Sequence, residues 1–436
     1  MTAPTVRSRL TTALEWLALT VACMTLAWGP LAQGSTFEWG FSGLTILGCA
    51  ALALTLAAIA ARGQLTLPNP WWPLFAALFL AWVWRSALTA PDVLAGERWA
   101  GIWTAVLGVA FSLTVLARSH RRQQIVLSTL LVTGGIAVTL ALLQQRSMLI
   151  PGYSYLNGVP EKILTGPYFH PSHYSGYLIT VAALCSTVLL NTRPGWHTLP
   201  ILALAAGVQY TNLFTDGSSI PAVILAAGIP LLVWLWKIRP WVGVVLSAGA
   251  AAAAAWVVIT LATPQGQQTF DAYKTRLGID SQNLTGFLAG RADIHQFGRS
   301  MWHAHPQQGA GVGQWGTEFQ WYRPEGKAGI SATYVNYAHS DYLMILAELG
   351  TVGAALLTLT VLLAMYRRGW TVLSLSGAAI LPVYLFTGLY DSHLSAIPGT
   401  MIGAFALILG ARAATTPDVR IADETTPPPA GIDLHL

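Results

Sequence analysis

Apolar runs of about twenty residues, separated by short polar breaks, recur along most of this chain. Twelve are long enough, or nearly so, to cross ~30 Å of hydrocarbon at ~1.5 Å per residue. They fall near 11–33, 41–61, 71–89, 99–117, 124–143, 171–191, 197–214, 219–237, 241–262, 341–366, 370–389 and 395–411. The pattern predicts an all-α polytopic membrane protein with about 12 transmembrane helices, a bundle over 1–414. The seventh and eighth segments are split only by a tight polar break, Thr215 to Ser219. The first run is long enough to span and leads into another, so it reads as a retained helix.

Two polar stretches interrupt the pattern. One runs over 144–170 and ends in Gly166-Pro-Tyr-Phe-His-Pro-Ser-His-Tyr-Ser-Gly-Tyr177. The other, 263–339, is rich in Gly, Gln, His and Trp, with helix-compatible patches at Gln268–Leu277 and Leu288–His303. A structureless loop of that length inside a compact protein would be unusual, so a small, partly helical cap between helices 9 and 10 is expected. The tail over 415–436 is Pro-, Thr- and acid-containing and reads as disordered and cytoplasmic.

Composition agrees with a membrane location. The 436 residues are 54% hydrophobic and only 9% charged, against roughly a quarter charged in a soluble domain; mean hydropathy is +0.54. The formal charge of +5 therefore reads as membrane orientation rather than nucleic-acid binding. With the N-terminus inside, 13 of the 23 basic residues fall in short inner links and tails, including Arg118, Arg121, Arg122, Arg367 and Arg368. Both termini are accordingly predicted cytoplasmic. Seven of the ten histidines then fall outside: His170, His173, His295, His303, His305, His339 and His393. Cys23, Cys49 and Cys185 all lie in apolar runs and imply neither disulfides nor a metal cluster.

The candidate chemistry gathers in the outer segments. His339 stands where polar loop meets apolar helix, followed by Ser340 and Asp341 as capping residues. A neutral histidine there can accept a proton near physiological pH; it can equally be an interfacial residue that packs and hydrogen-bonds. Tyr337 flanks it, and Asp341 could orient its ring or simply cap the helix. Arg291 and Arg299, eight apart, could address one anionic object from a continuous helix, or be ordinary surface arginines. Arg85, Arg98 and Arg146 lie near outer segment ends, where snorkelling would also explain them. His170 and His173 open the sixth helix, with Pro171 in its first turn, and either line a site or cap and pack. Asp391-Ser-His393 could face the same cavity. His295 with His303 and His305 makes a poor metal set, because His305 precedes a proline and no cysteine ligand is nearby. Gly309-Ala-Gly-Val-Gly313 lacks the strand, helix and lysine of a phosphate loop; a turn with close backbone approach accounts for it better.

These pieces resemble the O-antigen ligase-like superfamily of bacterial membrane glycosyltransferases, which includes lipopolysaccharide O-antigen ligases, O-antigen polymerases and protein O-oligosaccharyltransferases. The resemblance is carried by Gly290-Arg291, by Trp302 and His305-Pro-Gln-Gln-Gly-Ala-Gly-Val-Gly313, by Gly166–Leu178, and above all by Ala338-His-Ser-Asp-Tyr-Leu-Met-Ile-Leu-Ala-Glu-Leu-Gly350-Thr-Val-Gly353. It implies a C-type glycosyltransferase-like fold and a metal-independent enzyme with no cofactor. Such an enzyme takes a glycan from undecaprenyl diphosphate at the periplasmic face of the inner membrane. It assigns His339 as general base toward the acceptor hydroxyl and Arg291 as diphosphate ligand. One departure stands out: Leu213-Phe-Thr-Asp-Gly-Ser-Ser219 lacks the arginine common in the family after the seventh helix, and Arg146 or Arg85 is a candidate substitute. The leading expectation is O-antigen ligation onto lipid A-core. A polymerase is the closest rival, followed by a protein O-oligosaccharyltransferase and a lipid-linked sugar transporter.

Overall fold

The computed structural model describes residues 6–65, 67, 69–146, 163–192, 195–215, 281–322, 335–366 and 371–410. Among them every long element is a helix and there is no strand. In order these are α1 (Val6–Leu31), α2 (Glu38–Arg62), α3 (Trp71–Leu88), α4 (Val93–Leu116), α5 (His120–Gln145) and α6 (Pro171–Asn191). They are followed by α7 (Leu199–Asn212), α8 (Ser281–Ala304), the single turn α9 (Trp315–Glu318), α10 (Asp341–Met365), α11 (Val372–Thr387) and α12 (Pro398–Phe405), which continues as a π turn to Gly410.

Seven of the described helices are long and apolar enough to cross a membrane: α1 to α6 and α10. The protein is thus an all-α polytopic membrane protein. Ten of the twelve apolar segments fall on described helices, and the segments 219–237 and 241–262 lie outside the described residues, as do the tail and the part of the expected cap before 281.

Several helices begin earlier than hydropathy alone indicates, and their caps explain why. Asp92 accepts a hydrogen bond from the Ala95 N–H (3.0 Å) and starts α4 six residues before the apolar run at 99. Glu97 and Arg98 then sit in the first two turns, on the exposed side. Ser119 caps α5, which starts four residues before its apolar run, by accepting from Arg122 N–H (3.3 Å), whereas α11 starts two residues inside its run, where Thr371 and Ser374 close a reciprocal capping box.

The centre of the bundle is buried. α4, α6 and α12 are almost wholly buried, whereas α1, α2, α3, α5 and α10 each turn one face outward. Phe79, Trp103 and Phe405 interlock edge to face at 5.1 and 5.7 Å between ring centroids, tying α3, α4 and α12 together by geometry that aromatic pairs favour.

α10 is not one continuous helix. Gly350 sits at φ 66°, ψ −174° and interrupts it. A break at membrane depth is tolerated only if the freed backbone groups find partners in protein, and here the 306–311 loop supplies them. Ala347 and Glu348 carbonyls accept from Ala310 and Gly311 N–H (2.8 and 3.0 Å), and Thr351 and Val352 N–H donate to Pro306 and Gln307 carbonyls (2.9 and 3.2 Å). Trp82 Nε1–H takes the Leu349 carbonyl (2.9 Å). The glycine-rich loop is therefore a backbone splice into the break. Gly309, at φ 71°, lies so close that a Cβ would stand 2.3 Å from the Glu348 carbonyl carbon. The buried Glu348 carboxylate completes the splice, accepting from Gly313 and Trp315 N–H (3.0 and 2.9 Å).

Candidate active site

His339 is the residue on which the site turns. It adopts φ +47°, a left-handed conformation uncommon outside glycine and often found at functional positions. Ser340 follows as N-cap of α10. Its hydroxyl donates to the Gly388 carbonyl (2.9 Å), and its N–H donates to Ser392 Oγ (2.9 Å). On the other side, His295 Nε2–H from α8 donates to the His339 carbonyl at 2.9 Å. Burial lowers His295 from the ordinary histidine value, which favours its neutral form.

The carboxylate facing the His339 ring is Asp391, from the α11–α12 turn. His339 Nδ1 lies 3.8 Å from Asp391 Oδ1, His393 Nε2 lies 3.7 Å from Oδ2, and Arg291 Nη2 lies 3.8 Å from Oδ2. Arg291 also donates to the Tyr390 carbonyl. Burial pushes the Asp391 carboxyl up, but His393, His339 and Arg291 together outweigh it and hold it well below the ordinary carboxylate range. It stays ionised at any pH above that lowered value. His393 is fully buried behind it, against Gly176, where a Cβ would stand 2.4 Å from Nδ1.

Asp341, the residue next to the histidine in sequence, does something else. Its Oδ1 accepts from Leu394 N–H (2.9 Å) and Ser395 Oγ–H (2.7 Å), while its own N–H meets the Gly388 and Asp391 carbonyls. It fastens the α11–α12 turn that carries Asp391. Of the two roles the sequence leaves open for Asp341, orienting the ring or capping the helix, its hydrogen bonds serve the neighbouring turn, and the carboxylate against the ring is Asp391.

A cavity of about 960 Å³ opens in front of this cluster. One wall holds His339, Tyr337, Arg291 and Ile294, and the first turn of α6 supplies His170 and His173. His173 Nε2 pairs with the Tyr337 hydroxyl (3.2 Å), and the Tyr337 ring lies 4.5 Å from that of His339. The remaining wall comes from the starts of α2 and α4, where Glu38 and Arg98 form an ion pair and Phe41 meets Trp99 edge on at 5.6 Å. Arg98 was noted in the sequence only as a segment-end arginine, and Glu38, Asp92 and Trp99 drew no functional notice; no local pattern marks them as cavity residues.

Of the other expected site residues, Arg299 is exposed on α8 and does not line the cavity, unlike Arg291. Arg85 is exposed and stacks over Trp82 at 4.8 Å, a packing role. Arg146 caps the end of α5, exposed, outside the cavity lining. His303 stacks on Trp302 at 4.9 Å, and among the described residues no three His, Cys, Asp or Glu side chains are grouped to hold a metal.

The Asp391 geometry carries a stability prediction. Asp391→Asn leaves the buried Arg291 guanidinium without its carboxylate, which costs about 3–5 kcal/mol for a broken buried pair. The share of that loss owed to Arg291 should be the same at every pH above about 4, because the wild-type contribution disappears only as pH falls through the lowered folded value of Asp391. Thermal unfolding of the detergent-solubilised variant against wild type, across pH, measures it; an unchanged midpoint would remove the ion pair from the account.

Residues 202–358 match the family model described as O-antigen ligase. No curated protein matches the chain. The matched stretch runs from α7 through α8 and the glycine splice into α10, so it includes Arg291, His295, His339 and Glu348 but not Asp391. Over roughly a third of its length the protein is similar to the O-antigen ligase family.

Proposed function

We propose that the protein is a bacterial inner-membrane glycosyltransferase that moves a preassembled glycan from undecaprenyl diphosphate to the lipid A-core of lipopolysaccharide. Both termini are cytoplasmic and the cavity faces the periplasm, in keeping with the distribution of basic residues. The observation that carries this reading is His339, backed by Asp391 and adjoining Arg291, at the edge of a cavity inside the stretch that resembles O-antigen ligases.

The geometry suits a single displacement. His339 Nδ1 points to Asp391, so Nε2 is the nitrogen that takes the proton from the acceptor hydroxyl. The new C–O bond forms at the anomeric carbon as the bond from that carbon to the diphosphate oxygen breaks, and the electron pair leaves with the diphosphate. The imidazolium left on His339 faces the ionised Asp391, which stabilises it. Arg291 meets the charge that develops on the leaving group, since its planar fork of N–H donors matches phosphate oxygens. A diphosphate is already a good leaving group, so no general acid is required.

The test is a deletion strain in which lipid A-core, capped lipopolysaccharide and undecaprenyl-linked glycan are resolved separately. A ligase leaves bare lipid A-core with long glycan accumulating on undecaprenyl diphosphate. Single repeat units on lipid A-core would assign the polymerase reaction instead, and unchanged pools would refute both.

A further inference from the structure

At the end of the bundle away from the cavity, three elements draw four arginines together around one carboxylate. Arg62, the last residue of α2, and Arg122, in the first turn of α5, meet the two carboxylate oxygens of Glu15 on α1 at 3.4 and 2.7 Å. The Arg62, Arg122 and Glu15 side chains are only 26%, 16% and 16% exposed, so the pairs are largely withdrawn from water. Arg121 and Arg122 both lie over the Trp16 ring, 5.7 and 5.0 Å from its centroid. Arg118, in the α4–α5 turn, completes the group. Burial lowers its guanidinium from the ordinary arginine value, Arg62 and Arg122 act in the same direction, and Glu15 opposes them.

Four arginines against one glutamate leave a positive excess, and α5 adds to it. A helix start carries roughly half a positive charge and favours acidic neighbours, yet the first turn of α5 holds Arg121 and Arg122 and no acidic residue. Membrane orientation explains why arginines gather at this end of the protein. It does not require them to converge from α2, the α4–α5 turn and α5 on a single partly buried carboxylate, where excess charge is costly until an anion meets it. Beside the cluster, α1 exposes Leu10, Leu17 and Met24, each at least half exposed. Seven residues apart, they form one apolar stripe that runs along α1 for about 21 Å.

We propose that the arginine cluster around Glu15 binds the phosphate of an anionic phospholipid, with an acyl chain along the Leu10–Leu17–Met24 stripe. Guanidinium forks match phosphate oxygens, and basic pockets between spanning helices are where anionic headgroups bind. The stripe is what favours a lipid over a soluble phosphate. On the topology proposed above, the lipid belongs to the cytoplasmic leaflet. It ties the ends of α1, α2 and α5 together there, next to the turn that ends α4. The 24 residues of α4 run about 36 Å from that turn to the cavity wall at Arg98 and Trp99. Nothing in the proposal depends on the transferase reading.

The test uses the full-length protein in dodecyl maltoside, with dioleoyl phosphatidylglycerol and dioleoyl phosphatidylcholine as probes. Bound lipid is read by native mass spectrometry and its effect on stability by thermal unfolding. Wild type should bind phosphatidylglycerol at least about fivefold more tightly than phosphatidylcholine, and gain stability from it. Arg118→Gln should weaken phosphatidylglycerol binding about fivefold, the worth of one cation at an anionic headgroup. Arg121→Gln should lose a similar factor; it is exposed and outside the Glu15 pairs, so it reports even if Arg118→Gln fails to fold. Glu15→Gln removes the competing carboxylate. It should unfold more easily without lipid yet bind phosphatidylglycerol several-fold more tightly. A cluster that serves only the fold predicts the first effect without the second, and that result overturns the lipid site. Equal affinity for the two lipids, or unchanged binding in both arginine variants, overturns it too. So does an equal loss from Arg9→Gln, which removes the same charge from an exposed residue of α1 outside the cluster. Inorganic phosphate that stabilises wild type as much as phosphatidylglycerol does, at matched ionic strength, would give the site to a soluble phosphate and overturn the lipid.

Discussion

His339→Asn should fold, insert and bind donor as wild type does, yet lose transfer by about 10²–10⁴-fold, the usual contribution of a general base. Asparagine is the informative replacement because residue 339 sits at φ +47°, a region asparagine tolerates better than most residues. The His295 bond to the residue 339 carbonyl and the Ser340 cap are both made by groups outside the side chain, so they survive the change. His339→Ala removes the same imidazole and adds about 1 kcal/mol of backbone strain, so its inactivity alone would not separate chemistry from folding. The two variants measured together do separate them. Equal loss of transfer, with a small difference in thermal midpoint, assigns the effect to the ring. Near-normal transfer by His339→Asn would remove the general base from the mechanism.

Gly350→Ala should be strongly destabilising. An added Cβ would stand 2.2 Å from the Gln307 carbonyl oxygen, a backbone atom with nowhere to go, and the position needs φ +66° besides. Relieving the clash means pulling Pro306–Gly311 off the broken helix, which strands the carbonyls of Ala347 and Glu348 and the N–H groups of Thr351 and Val352. Each unsatisfied buried group costs about 1–3 kcal/mol, so the expected outcome is loss of folded protein from the membrane fraction. Gly135→Ala is the matched control. Nothing lies within 4 Å of its added Cβ, and alanine is the better helix former by about 1 kcal/mol, so that variant should accumulate as wild type. Normal accumulation of Gly350→Ala would mean that the splice contributes little to the fold.

How far the sequence disclosed this arrangement depends on the range of the interactions. The helices were legible because a spanning segment must be apolar along its whole length, and the run from Tyr337 to Gly350 was legible because a polar-to-apolar boundary with a capping serine is a local signal. Gly309 to Gly313 were rightly read as a turn needing close approach. What they approach, the broken backbone of α10, was not legible, since a glycine inside an apolar run looks the same whether or not the helix continues through it. Which carboxylate faces His339 was left open for a related reason. Asp341 is two residues away, but the left-handed residue and the cap between them send the two side chains to different places. Asp391, 52 residues further on, arrives through the α11–α12 turn that Asp341 itself fastens. Arg291 and Arg299 share a helix as their spacing suggested, yet only Arg291 reaches the cavity, because the α8 face bearing Ile294, Phe297 and Met301 is buried against the rest of the cap.

The central claim is that the cavity joins a diphosphate-linked glycan to lipid A-core, and reconstituted transfer tests it most directly. Purified protein in liposomes would be given undecaprenyl-diphosphate glycan, labelled in the sugar, with lipid A-core as acceptor. The account predicts label moving to lipid A-core, with one undecaprenyl diphosphate released per glycan transferred, and no movement with His339→Asn. Label that instead lengthens glycan on undecaprenyl diphosphate, with lipid A-core untouched, would contradict the ligase reaction and leave a polymerase in its place.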